Sequence, residues 1–120
     1  MATRVAVASS DMVMVHQHFG MATHFQIYDL EWGGFRFVET RENIPSCGPD
    51  SGEQEEESHE RVVRLLADCR VVLVARIGPG AREVLLAHGL KPYETPMFID
   101  EALRKLIAAS ERKSILEGGI

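Results

Sequence analysis

The stretch VVLVA at residues 71–75, followed by GPG at residues 78–80, decides the fold class of this 120-residue chain. A continuous, valine-rich apolar run of this length is typical of a strand that is covered on both faces. The Gly-Pro-Gly sequence predicts the start of a helix, because proline suits the first helical turn. A buried strand that leads into a helix indicates an α/β fold with parallel strands.

Upstream of this stretch the sequence predicts three strands. Residues 4–8 are short, apolar and β-branched, and residues 24–30 and 35–40 are joined by a turn containing a Gly-Gly pair. Two strands joined in this way are typical of a hairpin. Because side chains alternate along a strand, Phe25 and Ile27 are expected on one face of the second strand.

Helices alternate with strands in the second half. Apolar residues recur at helical spacing from about Ser58, the segment from Gly78 to Gly89 predicts a helix, and residues 90–94 predict a short strand. A last helix is predicted from an apolar stripe, formed by Ile99, Ala102, Leu103, Leu106 and Ile107. The tail from about Ser114 is expected to be loose. The predicted order is β-β-β-α-β-α-β-α, with right-handed crossovers giving a mixed five-stranded sheet.

Composition narrows the class of protein. At 120 residues we expect a single domain over 1–120. A net charge of −5 argues against a nucleic-acid binder, and no apolar run is long enough to span a membrane. Two cysteines cannot make a disulfide framework, and with no signal-peptide core at the N-terminus we expect a cytoplasmic protein, a monomer or a weak dimer.

The residues whose side chains could bind a ligand or a metal are concentrated in three loops. In open α/β sheets, ligands bind beyond the carboxyl ends of the parallel strands. The loops expected there cover 9–23, 43–57 and 76–80. They carry or border His18, Cys47, His59 and Arg76, whereas Cys69 is expected at the opposite end of the sheet.

These residue types favour a metal–sulfur ligand. Imidazole and thiolate groups, as in His18, Cys47 and His59, bind soft and borderline metals. The N–H groups at the start of the helix after Gly78-Pro79-Gly80 can bind an anion, and Arg76 and Arg82 can add positive charge. Few soft ligands and an anion-binding rim fit a preformed anionic metal–sulfur cluster better than a bare ion.

The chain resembles the dinitrogenase iron–molybdenum cofactor biosynthesis family, the small domains of the NifX and NafY type that are also fused to NifB. The resemblance rests on VAVASS at 5–10, HFG at 18–20, FQIY at 25–28, Cys47 with His59, DCR at 68–70 and VARIGPG at 74–80. It implies a ribonuclease-H-like fold and non-catalytic binding and transfer of molybdenum- or iron-containing sulfide clusters.

The resemblance also implies the site. The family's cluster-binding histidine falls on His18, with Phe19 and Gly20 beside it. One branch, the orange proteins of sulfate-reducing bacteria, carries a molybdenum–copper sulfide cluster, so an iron–molybdenum and a molybdenum–copper cargo are both expected possibilities. The expected contacts are His18, Phe19, Gly20, Arg76, Gly78 and Gly80, with His18, Cys47 and His59 as metal ligands. The expected partners are proteins that donate or accept the cluster.

Two other classes stay open. A thiol redox sensor would pair Cys47 with Cys69, although the topology places these residues at opposite ends of the sheet. A small cytosolic enzyme would use the same cleft at the strand ends. The first strand lacks the acidic residue that a ribonuclease-H-type nuclease uses to hold metal, and no G-x-S-x-G motif is present for a hydrolase.

Overall fold

The computed structural model describes residues 3–31, 33–43 and 59–118, with side chains described as far as residue 109. The strands are β1 (Thr3–Ala8), β2 (His24–Glu31), β3 (Gly34–Glu42), β4 (Val71–Val74) and β5 (Lys91–Glu94). The helices are α1, which covers 59–65 of the described residues, α2 (Pro79–Ala87) and α3 (Ile99–Gly118). A single 3-10 turn spans Phe19–Met21.

The five strands form one mixed sheet in the order β3-β2-β1-β4-β5. β2 runs antiparallel to β1 and β3, whereas β4 runs parallel to β1 and β5. The carboxyl ends of β1, β3, β4 and β5 therefore meet at one edge, which we call the carboxyl edge; the other is the amino edge. The predicted mixed five-stranded sheet is confirmed, and the ribonuclease-H-like classification stays a prediction.

Both faces of the sheet are covered, as the apolar run in β4 predicts. Val72 and Val74 are fully buried on one face, in a core with Phe25, and Leu73 is 1% exposed on the other. The first core also contains residues of α1 and α2, and the second contains residues of α3. Ile27 joins Phe25 in the first core, so the predicted face of β2 is confirmed.

A network of charged side chains ties the end of α1 to the sheet. Arg41 on β3 donates to the carbonyl oxygen of Leu65 at 2.8 Å and to both carboxylate oxygens of Asp68 at 2.7 and 2.8 Å. Arg4 on β1 donates to Asp68 at 2.8 Å and to Asp29 at 2.8 and 3.1 Å. The bonds from Arg41, and then from Arg4, hold the pKa of Asp68 well below its usual range.

The end of α3 differs from our prediction. The helix continues to Gly118, past Ser114, where we predicted a loose tail. The sequence between these residues contains no proline, and glycine is a common terminator of helices. None of the helices in the described part of the chain, including α3, is both long and apolar enough to cross a membrane.

Candidate functional site

The loop after β1 crosses the carboxyl edge and pairs with the end of β4. The N–H of Gln17 donates to the carbonyl oxygen of Ala8 at 3.2 Å, and the N–H of Ala75 donates to that of Gln17 at 2.9 Å. His18 and Arg76 are then partners in a parallel β-bridge, and the N–H of Phe19 donates to the carbonyl oxygen of Arg76 at 2.8 Å. The side chains of His18 and Arg76 are both exposed. Two of the predicted site residues are thus neighbours at this edge.

The side chain of Gln17 forms hydrogen bonds across the loop, to Thr23. Its Oε1 accepts from the N–H of Thr23 at 3.2 Å, and its Nε2 donates to the hydroxyl oxygen of Thr23 at 3.0 Å. These bonds close the segment that carries His18 into a loop of fixed shape. We did not predict this role, because a glutamine in a polar loop carries no sequence signal for it.

Phe19, predicted as a cluster contact, has a buried side chain. Its side chain is only 3% exposed and belongs to the core, with its ring centroid 6.4 Å from that of Phe25. The same ring lies 6.0 Å from the ring of His59, in the first described turn of α1. Phe19 therefore holds His59 at the same edge as His18. Gly20 lies in the 3-10 turn beside it and is partly buried.

Asp11 fixes the first part of the loop. One of its carboxylate oxygens accepts from the N–H groups of Val13 and Met14 at 2.8 and 3.0 Å and from the hydroxyl of Ser9 at 3.0 Å. The two backbone bonds lower the pKa of Asp11 to about 2. The turn places Met12 at a φ of 63°, which is uncommon for residues other than glycine. Local bonding of an aspartate to the next backbone groups is a recognisable turn signal, and we did not use it.

A surface groove lies beside this turn but contains none of the predicted site residues. Its volume is about 440 Å³, and it is lined by Met12, Val13, Phe98, Asp100, Glu101 and Arg104. The loop reaches this region because Met14 and Phe98 are partners in an antiparallel bridge. The groove is therefore separate from the pairing of His18 with Arg76.

The segment predicted as an anion-binding rim lies at the start of α2. Gly78 is the N-cap and no side chain caps it, and Pro79 is at the first helical turn. Apart from the adjacent backbone, a Cβ atom added at Gly78 or Gly80 would meet no atom of the described residues within 4 Å, so this part of the chain leaves the space beside both glycines open. Arg82, which we predicted to add positive charge there, forms an ion pair with Glu94 at 3.4 Å.

The metal donors at the carboxyl edge are few. Within the described residues, no group of three or more His, Cys, Asp and Glu side chains is placed to hold a metal ion. Cys47, predicted as a ligand, lies outside the described residues. Cys69 is 5% exposed and follows α1 at the amino edge, and burial raises the pKa of its thiol to about 12. Of the predicted metal ligands that the structure describes, His18 is exposed beside Arg76 and His59 is partly buried against Phe19.

The fold is that of a small α/β domain, in which the loop of His18 meets Arg76 at the carboxyl ends of the strands. Residues 1–109 match the family described as "Dinitrogenase iron-molybdenum cofactor". The match covers most of the chain, and the chain belongs to this family.

Individual relatives agree with this assignment. The chain is 38% identical over 103 residues to the FeMo cofactor biosynthesis protein NifB of Frankia alni, covering 85% of this chain and 20% of NifB. It is 34% identical over 90 residues to Protein NifX of Sinorhizobium fredii, covering 72% of this chain and 56% of NifX. The chain thus spans about a fifth of NifB and about half of NifX.

A solved structure supports the fold. The apo form of the orange protein from Desulfovibrio gigas matches with a TM-score of 0.61 over 91% of this chain and 90% of that protein. Its sequence is 20% identical, so the likeness shows a shared fold.

Proposed function

We propose that this chain binds and carries a preformed, anionic molybdenum-containing metal–sulfide cluster and does not turn it over. The observation that carries the proposal is the pairing of His18 with Arg76 at the carboxyl edge. It puts one soft ligand and one positive charge side by side, each on an exposed side chain. Membership of the dinitrogenase iron–molybdenum cofactor family supports the same cargo.

Each residue has a distinct part in this proposal. The imidazole of His18 ligates a metal at the corner of the cluster, and His59, held by Phe19, is the second imidazole. Arg76 donates charge-assisted hydrogen bonds to the sulfide or oxo edge. The N–H groups after Gly78 bind the anion from the other side, because the positive end of a helix dipole favours negative charge. Cys47 is proposed as a thiolate ligand.

The cluster's own sulfides explain why few protein ligands suffice. A bare zinc or iron ion needs about three or four protein donors, and among the described residues no group of three or more such donors is placed to hold one. A preformed cluster has most of its coordination filled and needs only anchoring. Weak anchoring also suits a carrier, since its cargo must leave intact.

We propose an iron–molybdenum cluster as the cargo and proteins of cofactor assembly as donor and acceptor, in the cytoplasm. NifB and NifX relatives favour iron–molybdenum chemistry over the molybdenum–copper alternative. We also propose that the fold is ribonuclease-H-like. A redox-sensor role is less favoured, because a buried thiol with a raised pKa, as in Cys69, forms little of the reactive thiolate.

Purification from the native host without oxygen tests the proposal. The wild-type protein is expected to absorb visible light and to contain molybdenum, and elemental analysis for iron and copper identifies the cluster. The His18→Ala variant, purified in parallel, is expected to lose most of the colour. A wild-type protein that is folded, colourless and free of metal would overturn the proposal.

A further inference from the structure

Glu94 places a carboxylate against the loop that leads into α2. It is the last residue of β5 and lies opposite Val74 in the parallel pairing of β5 with β4. Its Oε2 accepts from the N–H of Ile77 at 3.4 Å, and its Oε1 accepts from Nη2 of Arg82 at 3.4 Å. An internal anion therefore already occupies donors beside the rim where an external anion is proposed to bind.

One peptide group connects this carboxylate to the loop of His18. The carbonyl oxygen of Arg76 accepts from the N–H of Phe19 at 2.8 Å, and the N–H of the same peptide group, which belongs to Ile77, donates to Glu94. With standard peptide dimensions, the Glu94 carboxylate is at most about 9 Å from the nitrogen of Phe19. This separation is close to the screening length of about 8 Å at physiological salt, so the charge of Glu94 is only partly screened at the backbone of the loop that carries His18.

The pair of Glu94 with Arg82 is easily displaced. The two side chains are 43% and 42% exposed, and exposed ion pairs are weak. Both hydrogen bonds of Glu94 are also long, since most bonds from N–H to oxygen lie between about 2.7 and 3.2 Å. An arriving anion can therefore compete with the carboxylate for both donors.

We propose that Glu94 limits how tightly the rim holds an anionic cluster, by competing for Arg82 and for the N–H of Ile77 and by repelling the bound anion. The inference rests on the proposed function, and it assigns the release of cargo to a particular residue. When the site is empty, Glu94 neutralises Arg82, and when the cluster is bound, its displaced charge favours departure. A carrier with this residue binds its cluster less tightly and releases it to an acceptor more readily.

Tetrathiomolybdate is the probe, titrated into wild type and the Glu94→Gln variant at about 20 mM and about 200 mM salt. Glu94→Gln is expected to bind about three- to tenfold more tightly at the lower salt, with a smaller difference at the higher salt. Glu31→Gln is the matched control, because Glu31 forms an exposed pair with Arg36 at 3.4 Å at the amino edge. This control is expected to bind as wild type does. Without any ligand, the amide resonance of Ile77 is expected to move in Glu94→Gln and not in Glu31→Gln.

The outcomes separate this inference from the proposed function. Equal or weaker binding by Glu94→Gln, when wild type binds, overturns the role of Glu94 and leaves the carrier function standing. An equal gain in affinity in Glu94→Gln and Glu31→Gln would mean that only the net charge of the protein matters, and it would also overturn the role of Glu94. A folded wild type that binds no tetrathiomolybdate counts against the proposed function itself.

Discussion

His18 and Arg76 are partners in a parallel β-bridge at the carboxyl edge, although they belong to loops that follow different strands. Neighbouring strands are about 5 Å apart, so the two backbones are within side-chain reach of a common ligand. The bridge uses only backbone groups, because the N–H of Phe19 bonds the carbonyl oxygen of Arg76. Both side chains can therefore be changed without breaking the contact that brings them together.

Replacing His18 with alanine is expected to weaken binding of tetrathiomolybdate by more than about tenfold, since even groups that only orient a metal ligand typically contribute about ten- to a hundredfold to metal affinity. The melting temperature is expected to stay near that of wild type, because the side chain is exposed. Isothermal titration and thermal unfolding measure the two effects. His88→Ala is the control, since His88 is exposed at the other end of α2. Unchanged affinity in His18→Ala would remove His18 from the site.

Replacing Arg76 with alanine is expected to weaken tetrathiomolybdate binding about threefold to thirtyfold and to flatten its dependence on salt. A charge-assisted hydrogen bond to an anion is lost, and the electrostatic part of binding falls with it. Arg70→Ala is the matched control, because Arg70 is an exposed arginine at the opposite end of β4. Titrations at two ionic strengths check this, and matching isotherms for Arg76→Ala and wild type would leave Arg76 outside the site.

Gly80→Ala is expected to change stability and binding in opposite directions. Gly80 lies in the first turn of α2, and a Cβ there meets no side chain of the described residues, so alanine should raise the free energy of unfolding by about 0.5 kcal/mol. The same methyl group enters the space proposed for the cluster, and affinity should fall several-fold. Urea unfolding and titration of one preparation compare the two. A variant that is more stable and binds as tightly as wild type would place the cluster elsewhere.

The thiol of Cys69 is expected to react slowly in the folded protein. Cys69 is 5% exposed with a pKa raised to about 12 by burial, and only the thiolate is nucleophilic. In the Cys47→Ser variant, labelling at pH 8 should be about a thousandfold slower than for a free thiol and become fast on unfolding. Wild type should gain one rapid label from Cys47. Rapid labelling of the folded variant would show that the amino edge is not packed as described.

The charged network around Asp68 predicts a loss of stability in acid. Arg41 and Arg4 lower the pKa of Asp68, so its contribution is complete above the ordinary aspartate pKa of about 3.9 and is lost as pH falls below it. Asp68→Asn should cost about 1–2 kcal/mol at neutral pH, because the carboxylate is 44% exposed and partly screened, and should flatten the acid limb.

Urea unfolding between pH 2 and pH 7 measures this loss. Glu83→Gln, an exposed position on α2, is the control and should follow wild type. An acid limb in Asp68→Asn as steep as in wild type would assign the effect to other groups.

The sequence by itself determined the fold class, a mixed five-stranded sheet with helices packed on it. The apolar run of β4, the alternation in β2 and the stripe of α3 depend on neighbours within a few residues, and such periodicity is visible in one dimension. The rule that ligands bind beyond the strand ends then selected the loops that carry His18 and Arg76. Resemblance supplied the family, and the match to residues 1–109 agrees with it.

Only the tertiary structure decided which side chains meet. Parallel pairing of β1 with β4 joins segments far apart in sequence, and it alone makes His18 a neighbour of Arg76. The burial of Phe19 likewise depends on its packing against α1. The ion pair of Arg82 with Glu94 depends on the position of the end of β5. Contacts of this kind depend on how distant segments of the chain pack together, and the residues next to each side chain in the sequence do not show that packing.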